Sequence, residues 1–149
     1  MIIISTLEGI PPPVDGKSLK KILKQFLQHL GHSKRHLSVY LTDDYEIQAL
    51  NLIHRKKDAP TDVLSWSYWE EDPNSDTLGD LAISIDRITA QAQEHGFSVS
   101  DELLRILAHG CAHLAGYDHE RSKAEERKML SVEIELLSLI GLAHLYPDG

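Results

Sequence analysis

The chain has 149 residues, 42% of them hydrophobic, which suits one globular domain spanning 1–149 with core enough to fold unaided. Its formal net charge of −8 repels polyanions on average, so a nucleic-acid partner requires a local basic surface. A single cysteine excludes an internal disulfide, and with a short apolar start and no run of membrane-spanning length the expectation is a soluble, cytoplasmic protein without a membrane association.

In chain order, the apolar residues 1–4 read as a first strand and Pro11-Pro12-Pro13 as a stiff connector to the first helix. Ser18 reads as the cap of that helix, whose Leu19, Ile22, Leu23, Phe26, Leu27 and Leu30 keep the helical period until Gly31 stops it. Leu37, Val39 and Leu41 alternate with Ser38 and Tyr40 as in a half-buried strand, and Asp43 with Glu46 makes a capping-box start to a helix ending near His54. Residues 63–68 and 81–85 read as two more strands, separated by an acidic loop with Pro73 and Asn74 that is expected to be mobile. Helices follow over 86–95, closed by Gly96, then from Ser98 or Ser100 to 115, then from Ser122, boxed by Glu125, to about 140. Strands mostly early and helices late argue for an α+β domain in which helices cover a small sheet.

The most informative segment is 109–119. At about 100° per residue on a helix, His109 and His113 lie one above the other with their imidazoles on one face. Gly116 can take a positive φ, stop the helix and let the chain double back, bringing His119 toward the same point. Three neutral imidazoles suit zinc or a similar divalent ion and leave a fourth position open, as catalytic sites do. Cys111 points away from this line and is a poor fourth ligand, while Leu103, Leu104, Ile106, Leu107, Cys111 and Leu114 form an apolar arc for the core. Ala112 and Gly116 flank the imidazoles, and Glu102 and Arg105 fall one to two turns earlier on that side. The alternative is that three of nine histidines fall at this spacing by accident, as ordinary polar surface. The spacing also matches a metal-peptidase pattern, but that chemistry needs a glutamate directly after the first histidine, and Gly110 stands there.

Together with two upstream segments, these residues resemble the YbeY family of zinc-dependent endoribonucleases. The chain carries HGCAHLAGYDH at 109–119 where the family has HGxLHLxGYDH. It carries Pro60-Thr61-Asp62-Val63-Leu64-Ser65-Trp66 for PTDVLSF, and Gly79-Asp80-Leu81-Ala82-Ile83-Ser84 for a GD-hydrophobic-x-IS strand, in the family's order. Ala112 replaces the preferred leucine and Trp66 the preferred phenylalanine, and neither touches a proposed ligand. The resemblance implies a zinc-dependent nuclease of single-stranded RNA, acting in 16S ribosomal RNA 3′-end maturation and ribosome quality control in the bacterial cytoplasm. RNA, and the ribosome or its proteins, are the implied partners. A mixed sheet with the metal helix packed near it and followed by a turn, similar to zinc metallopeptidase architecture, is implied as well.

Arg55-Lys56-Lys57 is the best basic patch and the candidate substrate-binding segment. On the residues alone, these three are equally the solvated end of a helix, where cations complement the dipole. The resemblance places a functional arginine at Arg55, whose guanidinium fork suits a phosphate in the transition state. Arg55 and His109 are thus the candidate catalytic residues, with His109, His113 and His119 as metal ligands. Asp118 and Glu120 read as orienting or turn residues sooner than as acid or base, and Asp62 and Asp80, at strand starts, as caps. Two other classes fit the same residues: a metal-dependent hydrolase of an amide or ester, and a non-catalytic ribosome-associated RNA-binding module whose metal stabilises the fold.

Overall fold

The computed structural model describes residues 1–118 and 120–146. Strands β1 (Ile2–Thr6), β2 (His36–Thr42), β3 (Val63–Ser67) and β4 (Thr77–Ser84) form one sheet in the order β1-β2-β4-β3. The first two and β4 run parallel, and β3 is antiparallel to β4. Helices α1 (Gly16–His29), α2 (Asp44–Arg55), α3 (Ile85–His95), α4 (Val99–Leu114) and α5 (Lys123–Ser138) are followed by a 3-10 turn at Ala143–Leu145. The expected α+β architecture, a small mixed sheet covered by helices, is therefore what the chain adopts.

The register explains how the core forms. Val39 pairs with Ile4 and Leu81, and Leu41 with Ile83, so alternating positions of adjacent strands present one apolar face. Leu19, Leu23, Phe26 and Leu27 of α1 close over it, with Leu103, Leu107, Cys111 and Leu114 of α4 and Leu136 of α5 in the same cluster. Each such side chain contributes about 1.5–3 kcal/mol on full burial. On the opposite face α2 lays Ile47 against Leu64 and Ala82. The core face of α4 is the arc expected from its sequence.

Several local expectations are corrected. Asp15, not Ser18, caps α1: its carboxylate accepts the Ser18 amide at 2.9 Å and the Ser18 hydroxyl at 2.8 Å. Strand β4 begins at Thr77 rather than at 81, because Thr77 and Gly79 already pair with His36 and Leu37 of β2. Asp80 therefore sits inside a strand, where it accepts the Tyr68 hydroxyl at 2.9 Å. The acidic loop before β4 is pinned: Arg35 donates to the carbonyls of Ser75 (3.2 Å) and Pro73 (2.8 Å) and lies over the Trp69 ring. Ser98, of the two candidate serines, caps α4. Among the described residues, no helix is long and apolar enough to cross a membrane.

Candidate functional site

Helix α4 brings His109 and His113 to a cavity of about 450 Å³. Its other walls are His54 and Arg55 from the end of α2, the stretch from Thr61 to Ser65 that enters β3, and Glu120. Arg55, His109 and His113, singled out from the sequence, thus line one concavity. Lys56 and Lys57 stand exposed just beyond α2 and are not among its lining residues. Lys56 closes α2 in the left-handed conformation, with φ 58°. His119 lies outside the described residues, and among those described no group of three His, Cys, Asp or Glu side chains is gathered to hold a metal ion.

Each imidazole is oriented by an acceptor. His113 Nδ1 donates to the carbonyl oxygen of Tyr117 at 3.2 Å. His109 Nδ1 faces Glu133 Oε1 at 3.3 Å. With its Nδ1 protonated, an imidazole carries its lone pair on Nε2, the arrangement in which histidines usually bind metals. These two imidazoles are donors of the kind a divalent ion of the zinc type takes. Burial pulls the pKa of His109 down, but the hydrogen bond and charge of Glu133, with Asp62 adding to them, outweigh burial and hold it above the ordinary 6.5. Cys111 is excluded as a ligand by the same structure: it is buried in the core, and burial pushes its thiol pKa up to about 12.

The turn after α4 is built as its glycine requires. Gly116 has φ 102°, and its amide donates to the His113 carbonyl at 3.0 Å while the Tyr117 amide reaches Ala112 at 3.2 Å. Asp118 shapes the next step by accepting the Glu120 amide at 2.8 Å and facing Arg121 at 3.4 Å, in keeping with a turn role. Asp62 accepts the Val63 amide at 2.8 Å and the Gln91 side chain at 3.3 Å, so it caps the entry to β3 while also lining the cavity.

The model of one protein family, described as Endoribonuclease YbeY, matches residues 12–141. The chain belongs to the YbeY endoribonuclease family. Among curated YbeY proteins, that of Aquifex aeolicus is 45% identical over 125 residues, covering 84% of this chain and 83% of its own length. The Persephonella marina YbeY is 40% identical over 126 residues, with 83% and 82% covered. A solution structure from Thermotoga maritima is similar in fold, with a TM-score of 0.63 at 30% identity over 93% of this chain and 90% of that one. Membership in the YbeY family supports a hydrolase acting in RNA processing and ribosome biogenesis.

Three residues that shape the cavity or its surroundings have no place among the sequence-based candidates. Glu133 is buried on α5 and faces His109. Its signal was spacing: Met129, Val132 and Leu136 put position 133 on the buried face. His54 forms a wall by donating Nε2 to the Ser65 carbonyl at 3.1 Å and packing its ring 4.5 Å from Trp66. Asn51, buried, ties α2 to the following loop through Ala59 O at 2.8 Å and so fixes where Arg55 emerges. Neither of these last two has a signal in a single sequence. Glu102 and Arg105, expected on the histidine side, pair with each other instead of lining the cavity.

Proposed function

We propose that the chain, as one catalytic domain, is a single-strand-specific metallo-endoribonuclease acting in 16S ribosomal RNA 3′-end maturation and ribosome quality control in the cytoplasm. The observation that carries this reading is that a guanidinium, Arg55, and two imidazoles, His109 and His113, line the same cavity. His109, His113 and His119 would hold a zinc ion, on a helix followed by a glycine turn that is similar to zinc metallopeptidase architecture. When bound, such an ion supplies Lewis acidity toward phosphoryl oxygens and a more acidic water as nucleophile.

The chain's own residues do the rest. Glu133 and the Tyr117 carbonyl fix the ring orientation of His109 and His113 before substrate arrives, so little reorganisation is needed during reaction. Arg55 donates to two oxygens of the scissile phosphate and stabilises the charge that develops there. Lys56 and Lys57, exposed beyond it, attract the flanking phosphates of a single strand, which offsets the repulsion of an acidic protein. A peptidase-type base is absent because position 110 is a glycine.

The test is cleavage of a labelled single-stranded RNA by purified protein, with and without EDTA, beside His113→Ala prepared identically. Cleavage by the wild type that is lost on chelation and in the variant is expected. Equal cutting by both preparations marks a contaminating nuclease. RNA binding without metal-dependent turnover would put the binding-module reading in its place.

A further inference from the structure

A line of polar contacts leads away from the cavity, passes through Tyr146, the residue that closes the 3-10 turn, and ends at Glu102 on α4. Glu133 Oε1, which faces His109 Nδ1 at 3.3 Å, also accepts the Tyr146 hydroxyl at 2.9 Å. That hydroxyl accepts in turn from Arg105 Nη1 at 3.2 Å, and Arg105 gives its Nε to Glu102 Oε1 at 2.9 Å. Glu102 is 0% and Glu133 6% exposed, so both carboxylates sit where unmatched hydrogen-bonding capacity is costly. The Arg105 guanidinium also lies 5.7 Å from the centre of the Tyr146 ring, which holds the tyrosine in place from one side.

The hydrogens in this line can run in only one direction. Arg105 is always a donor, so the Tyr146 hydroxyl uses an acceptor site for it and sends its own hydrogen to Glu133. A carboxylate only accepts, so the His109 nitrogen that faces it must carry the proton. Tyr146 thus fills part of Glu133's acceptor capacity, aims its carboxylate, and through it sets which nitrogen of His109 bears a lone pair. We propose that Tyr146 is a positioning residue for His109, acting through Glu133, so that seating of the C-terminal turn and binding of a divalent cation at His109 favour one another. This rests on the reading of His109 as a metal ligand.

The coupling follows from linkage. If seating the turn raises the affinity of the cation by some factor, bound cation stabilises the seated turn by the same factor. Leu145, buried beside Tyr146, anchors the turn in the core, so the polar line is carried by a segment that packing places against the helices. The consequence is that a change at the end of the described chain, on a different element from His109 and His113, reaches the site.

The experiment measures zinc affinity of the full chain by competition with a chromophoric chelator, for wild type, Tyr146→Phe, Glu133→Gln and the double variant. Tyr146→Phe keeps the ring and removes only the hydroxyl. A weakening of about 10-fold is expected for Glu133→Gln and a smaller one for Tyr146→Phe. The double variant should bind no more weakly than Glu133→Gln, because the tyrosine acts through the glutamate. In the wild type, hydrogen exchange of amides 143–146 should slow when zinc replaces EDTA. If Glu133→Gln fails to fold, Tyr146→Phe and the exchange measurement decide. Zinc affinity equal to wild type in Tyr146→Phe, with exchange indifferent to zinc, overturns the coupling while leaving the metal site intact. A wild type that takes up no zinc would instead remove the metal reading itself, and this inference with it.

Discussion

Gly110 and Leu81 meet so closely that a Cβ added at Gly110 would lie 3.0 Å from Leu81 Cδ1. Helix α4 therefore crosses β4 at a point where the space a side chain would need is already taken by the sheet. Gly110→Glu, which would restore the residue order of a peptidase, drives a carboxylate into Leu81 and leaves it unpaired. A loss of roughly 3–5 kcal/mol is expected, a fall in Tm of about 10 °C or more, with no gain of peptidase activity. Gly110→Ala stays within about 1 kcal/mol of wild type, since better helix propensity offsets the tight contact. Thermal melts of the two variants check both statements, and a Gly110→Glu protein as stable as wild type would contradict them.

The turn after α4 makes a second prediction. At φ 102° Gly116 lies in backbone space that an alanine enters only with strain, although a Cβ there would find Trp69 at an ordinary 3.6 Å. The cost of Gly116→Ala is thus backbone strain and not a clash, about 1–3 kcal/mol. Zinc affinity should fall along with stability, because on the proposed reading Gly116 lies in sequence between the ligands His113 and His119. Melting in EDTA, compared with chelator competition, separates the two effects; an alanine variant that melts with the wild type shows that the strain is absent.

What could be read in the sequence was local. Ser98, Ser122 and Asp43 cap their helices as their side chains dictate, and Gly96 ends α3 with φ 74°, because each of these involves only neighbouring residues. The pairing of His109 with His113 on one face is a matter of helical geometry alone. The start of β4 was hidden because Gly79 has poor strand propensity and is held by pairing with Leu37, far away in sequence. Loop 68–76 looked mobile because its partner, Arg35, lies on a distant segment. Glu133 was hidden by its charge: a glutamate is expected in water unless its partner is known, and its partners, His109 and Tyr146, come from other elements.

His32 makes stability depend on pH. It is buried beside Trp69, with ring centres 4.5 Å apart, and its Nδ1 accepts from Arg35 Nη1 at 3.0 Å. Burial, and then the charge of Arg35, lower its pKa below the ordinary 6.5. The folded state thus resists a proton that the unfolded state takes up. Its contribution is present in full above 6.5 and is lost as pH falls through the folded value, with a slope of at most about 1.4 kcal/mol per pH unit. Tm should drop on acidification from pH 7 toward 5.5, and less steeply in His32→Gln. Parallel slopes for the two proteins would assign the acid sensitivity elsewhere.

Arg55 and the two lysines after it should separate by kinetics. Arg55 lines the cavity, whereas Lys56 and Lys57 stand outside it; on the proposed reading the guanidinium acts on charge that develops in the transition state and the lysines meet only the flanking strand. Arg55→Ala is expected to lower kcat by about 100-fold with little change in KM. Arg55→Lys should lose nearly as much, because an ammonium is a point charge and cannot bridge two phosphate oxygens. For the lysines, Lys56→Gly removes the charge at a position whose φ of 58° favours glycine, and Lys57→Gln removes the next without touching the helix. Each should raise KM and reduce the salt slope of RNA binding by about 0.7, leaving kcat unchanged. Full activity in Arg55→Lys, or a lysine variant that loses kcat and keeps its salt slope, would reverse the assignment of charge to catalysis at Arg55 and attraction at the lysines.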